Sequence, residues 1–191
     1  AVKTYMELLR VRGVTRVLVS QLLARFPHGM LSIAFLIHVE RVHHSYAAAG
    51  LVVGAISLGE AIAGPISSRL MARWGMRPLL SIMAVVAVAL FSAMAIFPFP
   101  VPVMVVIGFI AGCSYPPIQP AVRTISPLLV PNRLLTPVFS LDASAQEIIW
   151  IVGPVLTTFV AVQFGSTEAI LTAMAFLAVG GAWFITSPSV G

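Results

Sequence analysis

Four ionisable side chains lie where the chain is otherwise apolar: Arg25, Glu60, Asp142 and Glu147. A charged group at the centre of a bilayer costs about 2.5–3.5 kcal/mol on insertion scales, so each must face a partner or an aqueous cavity. A carboxylate beside a fixed guanidinium stays ionised, whereas one buried without a cation is pushed towards neutral. Moving between those surroundings is how a carboxylate couples protons to a change of shape. Arg25 is therefore the candidate anchor for an anionic group or a counter-ion, with Glu60 or Glu147 as its carboxylate. Glu147 is the favoured partner, because Gln146 and Trp150 add polar and aromatic neighbours on the same stretch. His28 follows Arg25 by three residues, on nearly the same helical face, and Pro27 and Gly29 loosen the backbone there. It reads either as a proton-handling or ligand contact or as a hydrogen-bonded packing residue. Asp142 is expected nearer the inner surface, paired with Arg123 or a loop arginine as a latch.

These side chains need long apolar elements to hold them. Hydrophobic residues make up 59% of the 191-residue chain and charged residues 9%. Soluble domains carry roughly 25% charged residues, so this chain cannot clothe itself in a water-compatible surface. A hydrocarbon core of about 30 Å takes about 20 apolar residues per helix. Six spans are expected, near 14–38, 46–69, 78–98, 101–126, 134–163 and 169–186. Residues 1–13 alternate apolar and basic positions, as suits a short interfacial helix, and residues 187–191 form a tail. At 1.5 Å per residue, Arg25 lies about eleven residues into its span, Glu60 about fourteen and Glu147 about thirteen. That count brings the three together near the midplane.

Basic residues set the orientation. Lys3, Arg10, Arg12 and Arg16 precede the first run, Arg69, Arg73 and Arg77 separate the second and third, and Arg123 and Arg133 separate the fourth and fifth. The alternate gaps hold only Arg41. Arginine-rich gaps face the cytoplasm, so both termini are expected there, in a plasma (inner) membrane. The net charge of +5 is thus met by anionic headgroups, and with no basic face carrying interleaved aromatics no nucleic-acid partner is expected.

Other chemistries find little support. One cysteine, Cys113, leaves no intramolecular disulfide or cysteine-based zinc site, and beside Gly112 it reads as a small packing residue. His38, Glu40, His43 and His44 cluster in an outer gap without strict ligand spacing, so a solvated loop is expected rather than a metal site. No phosphate-cradling glycine loop is present, and no nucleophile, base and orienter set stands outside lipid, so neither an enzyme nor a cofactor is expected.

The apolar runs also carry an internal echo. Span two ends IAGPISSRLMARWG (62–75) and span five IVGPVLTTFVAVQFG (151–165), each with a glutamate upstream, Glu60 and Glu147. Spans two and five would cross in opposite directions, as in a three-plus-three inverted repeat. Gly50 and Gly54 in span two, and Gly108 and Gly112 in span four, have the spacing of close helix contacts. Pro27, Pro65, Pro116, Pro117, Pro120, Pro127, Pro137 and Pro154 fall within or at the ends of spans, predicting broken helices around a cavity.

The segment GPISSRLMARWGMRP (64–78) resembles the signature loop of the major facilitator superfamily, G-x-L-x-D-R-x-G-R-R. Leu70, Arg73, Gly75 and Arg77 agree with it, while Ser68 replaces its glycine and Ala72 its aspartate. The resemblance continues through GFIAGCSYPPIQPAVRTISP, the VPNR loop and Gly153-Pro154, a dipeptide of the family's proton-coupled drug exporters. It implies an all-α membrane protein, the N-terminal six-helix half of a twelve-helix transporter that moves a small molecule by alternating access. It further implies proton coupling and export, a site at the midplane, where the residues themselves place Arg25, His28, Glu60, Glu147 and Trp150, and a cytoplasmic gate of Arg69, Arg73, Gly75 and Arg77. Asp142 would compensate there for the missing aspartate. The partners implied are the lipid bilayer, a small-molecule substrate, protons and a second six-helix bundle. That bundle would be either a C-terminal half, this chain being a fragment without initiator methionine, or another copy of a half-size subunit. The rival reading is a six-helix scaffold or sensor without transport.

Overall fold

Apolar runs punctuated by glycine, proline and arginine become eight α-helices in a computed structural model that describes residues 2–191. They are α1 (Val2–Arg10), α2 (Val14–His43), α3 (Tyr46–Trp74), α4 (Met76–Ile96), α5 (Val101–Cys113), α6 (Ile118–Leu129), α7 (Leu135–Gln163) and α8 (Ser166–Ile185). There is no strand among the described residues. With α5 and α6 counted as one broken element, six helical segments are long and apolar enough to cross a membrane.

The boundaries follow local chemistry. Ser45 caps α3 by accepting a hydrogen bond from the Ala48 amide at 3.1 Å. Gly75, at φ 91°, and Gly165, at φ 130°, turn α3 into α4 and α7 into α8 in a region of backbone space that side chains avoid. α2 runs on to His43, five residues past the expected end of span one, and closes when the His44 amide bonds the Glu40 carbonyl at 2.7 Å. His38 is therefore buried in a helix rather than solvated in a loop, and its Nδ1 lies 3.0 Å from the Ser166 hydroxyl at the start of α8. Arg41 lies in the last turn of α2 and not in a gap, and it donates to the Ala161 carbonyl in the last turn of α7 at 3.0 Å, serving as a helix cap.

Only one of the proline sites breaks a span. Pro27, Pro65, Pro127 and Pro154 are carried inside continuous helices. Pro116 and Pro117 stand together and withhold two successive amides, and the helix stops at Cys113 and restarts at Ile118. The two Gly-Pro segments do share a local structure. The Ser68 hydroxyl donates to the Gly64 carbonyl at 2.9 Å, and the Thr157 hydroxyl donates to the Gly153 carbonyl at 2.8 Å, each four residues back. The echo in sequence is thus an echo in hydrogen bonding.

Packing has the pairing that a three-plus-three repeat requires. The most extensive contacts join α3 to α5, α2 to α7, α2 to α8 and α4 to α8. Exchanging the two halves of the repeat turns the α3–α5 pair into the α7–α2 pair and maps the α4–α8 pair onto itself. Close approach replaces the hydrophobic effect between helices in lipid, and glycines make it possible. A Cβ on Gly112 would strike the Ile56 carbonyl of α3, and one on Gly153 would come within 2.9–3.1 Å of the Gly29 backbone of α2. Gly108 also meets Ile56, but Gly50 and Gly54 have nothing within 4 Å, so the expected contact through that second pair is absent within this chain.

The core runs the length of the bundle. Phe35 and Phe91 are fully buried with ring centroids 5.5 Å apart, tying α2 to α4. At the N-terminal end, Leu8 of α1 packs with Val14, Val130, Leu134 and Val138. Arg133 adds a two-pronged ion pair to Glu7. These contacts fix α1 against the starts of α2 and α7.

Candidate functional site

The guanidinium of Arg25 ties α2 to α7. It donates to Asp142 Oδ1 at 2.5 Å and to Gln21 Oε1 at 2.8 Å, with a further bond to Gln146 Oε1. Gln21 Nε2 completes the ring with Asp142 Oδ1 at 3.3 Å. Helical periodicity explains the set: Gln21 and Arg25, like Asp142 and Gln146, are four residues apart and share a face. The Arg25 and Asp142 side chains are only 5% and 7% exposed. Both terminal nitrogens of this enclosed cation are engaged by protein acceptors.

This overturns two expectations. The carboxylate of Arg25 is Asp142, not Glu60 or Glu147, and Asp142 is held by Arg25 rather than by Arg123 or a loop arginine. The reason lies in side-chain direction. Long helical side chains point back towards the N-terminus, so the Arg25 guanidinium reaches down to the level of Gln21, one turn below its own Cα. Gln21 and Asp142 each lie seven residues past the first residue of their helices, at matching depth in two spans that run the same way.

Beside this network opens a cavity of about 190 Å³, whose walls come from α2, α3, α7 and the break between α5 and α6. Glu60 and His28 face each other across it, Oε2 to Nδ1 at 4.0 Å, and are 25% and 42% exposed. The His28 ring stands 5.6 Å from Tyr115 and 5.7 Å from Trp150, centroid to centroid. Gly64, Pro116, Pro117 and Ile118 supply apolar wall, and the buried Tyr115 hydroxyl has no hydrogen-bond partner. Sequence reasoning brought His28, Glu60 and Trp150 forward but passed over Gln21 and Tyr115. The signals available were the four-residue spacing of Gln21 to Arg25 and a tyrosine placed against a double proline.

Glu147 stands apart from this group. One residue beyond Gln146 is about 100° further round the helix, which places it in an adjoining hollow with Arg123, Phe139 and Ala143. It is exposed and has no ion pair within 4.0 Å among the described residues. Gln119 and Gln146 line both spaces, so the hollow and the cavity form one polar strip along α6 and α7.

A family model described as Major Facilitator Superfamily matches residues 17–190. The chain belongs to the major facilitator superfamily. It is a six-helix half of that transporter fold, an integral membrane protein of a family that carries small molecules across membranes. Comparisons with curated proteins and with solved structures give no match.

The signature segment of this major facilitator half is divided in its contacts. Arg77 donates to the Ile185 carbonyl through Nε and to the Ser187 carbonyl through a terminal nitrogen, both at 3.1 Å, and so caps the end of α8. Arg69 and Arg73 are exposed and make no side-chain hydrogen bond among the described residues. Gly75 supplies the left-handed turn between α3 and α4, and Ala72, standing where the family has aspartate, is exposed beside it.

Proposed function

We propose that this chain forms one half of a secondary active transporter that moves a small molecule by alternating access, coupled to protons through Glu60 and His28. The single observation that carries the proposal is the contrast between two acidic groups, Glu60 lining the cavity and Asp142 behind Arg25 beside it. Asp142 is enclosed with a permanent cation, whereas Glu60 faces open space with a histidine as its only charged partner within 4.0 Å. A histidine can be present charged or neutral near physiological pH. The Glu60–His28 pair therefore suits exchange of a proton with a cavity, and the Arg25–Asp142 pair suits holding two helices in register. Glu147 moves from first candidate to second, as part of the neighbouring strip with Arg123.

In this reading Arg69, Arg73 and Gly75 belong to a cytoplasmic gate that closes against a second six-helix bundle, supplied by a C-terminal half or another copy. Arg77 supports that gate from within by capping α8. Asp142 leaves the gate and joins the scaffold. The N-terminus, the arginine-rich gaps and the C-terminus face the cytoplasm of a plasma (inner) membrane, and the Gly153-Pro154 segment favours export.

Reconstitution into vesicles with an internal pH dye tests the proposal, using a panel of organic cations, sugars and amphipathic drugs. A substrate-dependent proton flux is expected in the unaltered protein. Glu60→Gln should abolish it with folding intact, while Glu147→Gln should retain most of it. Undiminished proton flux in Glu60→Gln would remove Glu60 from the mechanism. Absence of substrate-dependent flux across the panel would favour the non-transporting scaffold.

A further inference from the structure

We infer that the cavity selects a small organic cation, with Glu60 as the countercharge, His28 and Tyr115 as aromatic walls, and Trp150 backing the His28 ring. The inference rests on the transport reading above and adds the substrate class to it. Sequence alone left the class open, with Arg25 as the anchor of an anionic group or a counter-ion.

Electrostatic accounting decides between the two. Arg25 is the one permanent cation lining the cavity, and it is cancelled by Asp142 at 2.5 Å. Its two terminal nitrogens are already bonded to Asp142, Gln21 and Gln146. An anionic substrate would have to displace Asp142 from a guanidinium only 5% exposed, leaving that carboxylate stranded at low dielectric. Glu60 is five times more exposed, at 25%, and its neighbour within 4.0 Å is a histidine that need carry no charge. With His28 neutral and Glu60 ionised, the cavity holds one negative charge without a protein countercharge, and a ligand cation beside it would favour that ionised form. The adjoining hollow adds no excess of positive charge, because its lining holds Arg123 against Glu147 and Asp142, although Arg123 and Glu147 are not paired within 4.0 Å.

The walls favour the same class of ligand. A cation over an aromatic face is attracted by the ring quadrupole, by about 0.5–2 kcal/mol depending on desolvation. His28 has Tyr115 on one side and Trp150 on another, at 5.6 and 5.7 Å, and it faces Glu60 at 4.0 Å. Proline and glycine walls complete an apolar seat for the ligand body, and the volume of about 190 Å³ limits that body to a compact one.

The test uses the full chain in its native membrane assembly and three probes on one benzyl frame: radiolabelled benzyltrimethylammonium, its uncharged carbon counterpart neopentylbenzene, and phenylmethanesulfonate. The cation is expected to bind at least about tenfold more tightly than the neutral probe, and the anion not at all. Glu60→Gln should erase that preference and Glu60→Asp should keep most of it, with a melting curve confirming the fold of each. Equal binding of cation and neutral probe, preference for the anion, or no binding of any probe would each overturn the inference. A preference for the cation that persists in Glu60→Gln would also overturn it. Failure of the transport reading has a different signature. In that case cation binding depends on Glu60 but no probe drives proton flux in vesicles. Proton-coupled flux of a sugar or an anion, without cation binding, would leave the transport reading standing and remove the substrate class.

Discussion

Deleting the Asp142 carboxylate while Arg25 stays in place leaves a guanidinium buried without its charge partner. Both side chains are at least 93% enclosed, taking the complement of the 5% and 7% exposures, and their contact is 2.5 Å. Breaking a buried ion pair by removing one member costs about 3–5 kcal/mol. Gln21 and Gln146 still accept from the guanidinium, so Asp142→Ala is expected at the lower end, about 3 kcal/mol. Arg25→Met should cost a similar amount, because it strands the carboxylate instead. Removing both strands neither charge. The double variant should therefore be less destabilised than the sum of the singles by at least about 1.5 kcal/mol, a coupling typical of residues in one network. The assay is reversible unfolding by sodium dodecyl sulfate in mixed micelles, followed by tryptophan fluorescence and far-ultraviolet circular dichroism for all four species. Single effects that add within about 0.5 kcal/mol would refute the pair as a charge-coupled unit. Glu147→Gln is the internal reference: exposed and unpaired, it should shift stability by no more than about 0.5 kcal/mol.

Three further outcomes follow from other contacts. Gly112→Ala and Gly153→Ala force a methyl against neighbouring backbone and should each cost about 1–3 kcal/mol, whereas Gly50→Ala, with nothing within 4 Å, should be neutral or slightly stabilising in the same unfolding assay. Arg77→Gln removes two bonds to the end of α8 and should raise amide hydrogen exchange at residues 186–191 by about tenfold, with α2 unaffected. Glu7→Gln breaks the exposed pair to Arg133 and should leave the melting temperature unchanged, because solvent and salt screen such pairs.

The bundle was legible because lipid imposes a simple requirement: each crossing must be long, helical and apolar, and the gaps must carry the arginines. The family was legible in four residues of one loop, Leu70, Arg73, Gly75 and Arg77. What could not be read was which polar groups meet. Depth counted along Cα atoms placed Arg25 level with Glu147, but its side chain descends a full turn and meets Asp142. Rotation about the axis mattered as much, for Gln146 faces Arg25 while Glu147 does not. The glycines show the same limit. Spacing identified Gly50 and Gly54 as readily as Gly108 and Gly112, yet only the second pair lies where another backbone passes. Spacing specifies a face of a helix, and the neighbour on that face is set by tertiary packing.

The Arg25–Asp142 bond also has a history within each molecule. Its partners are 117 residues apart in the chain. At synthesis rates of about 5–20 residues per second, Arg25 is made roughly 6–23 s before Asp142. Through that interval Arg25 must be carried in lipid at a cost of about 2.5–3.5 kcal/mol. Gln21, one turn earlier on the same helix, is the partner that arrives with it. Of the three side chains that bond the guanidinium, Gln21 is the one made before α7. Replacing it would be felt first as lost yield of inserted protein, before any change in the finished bundle.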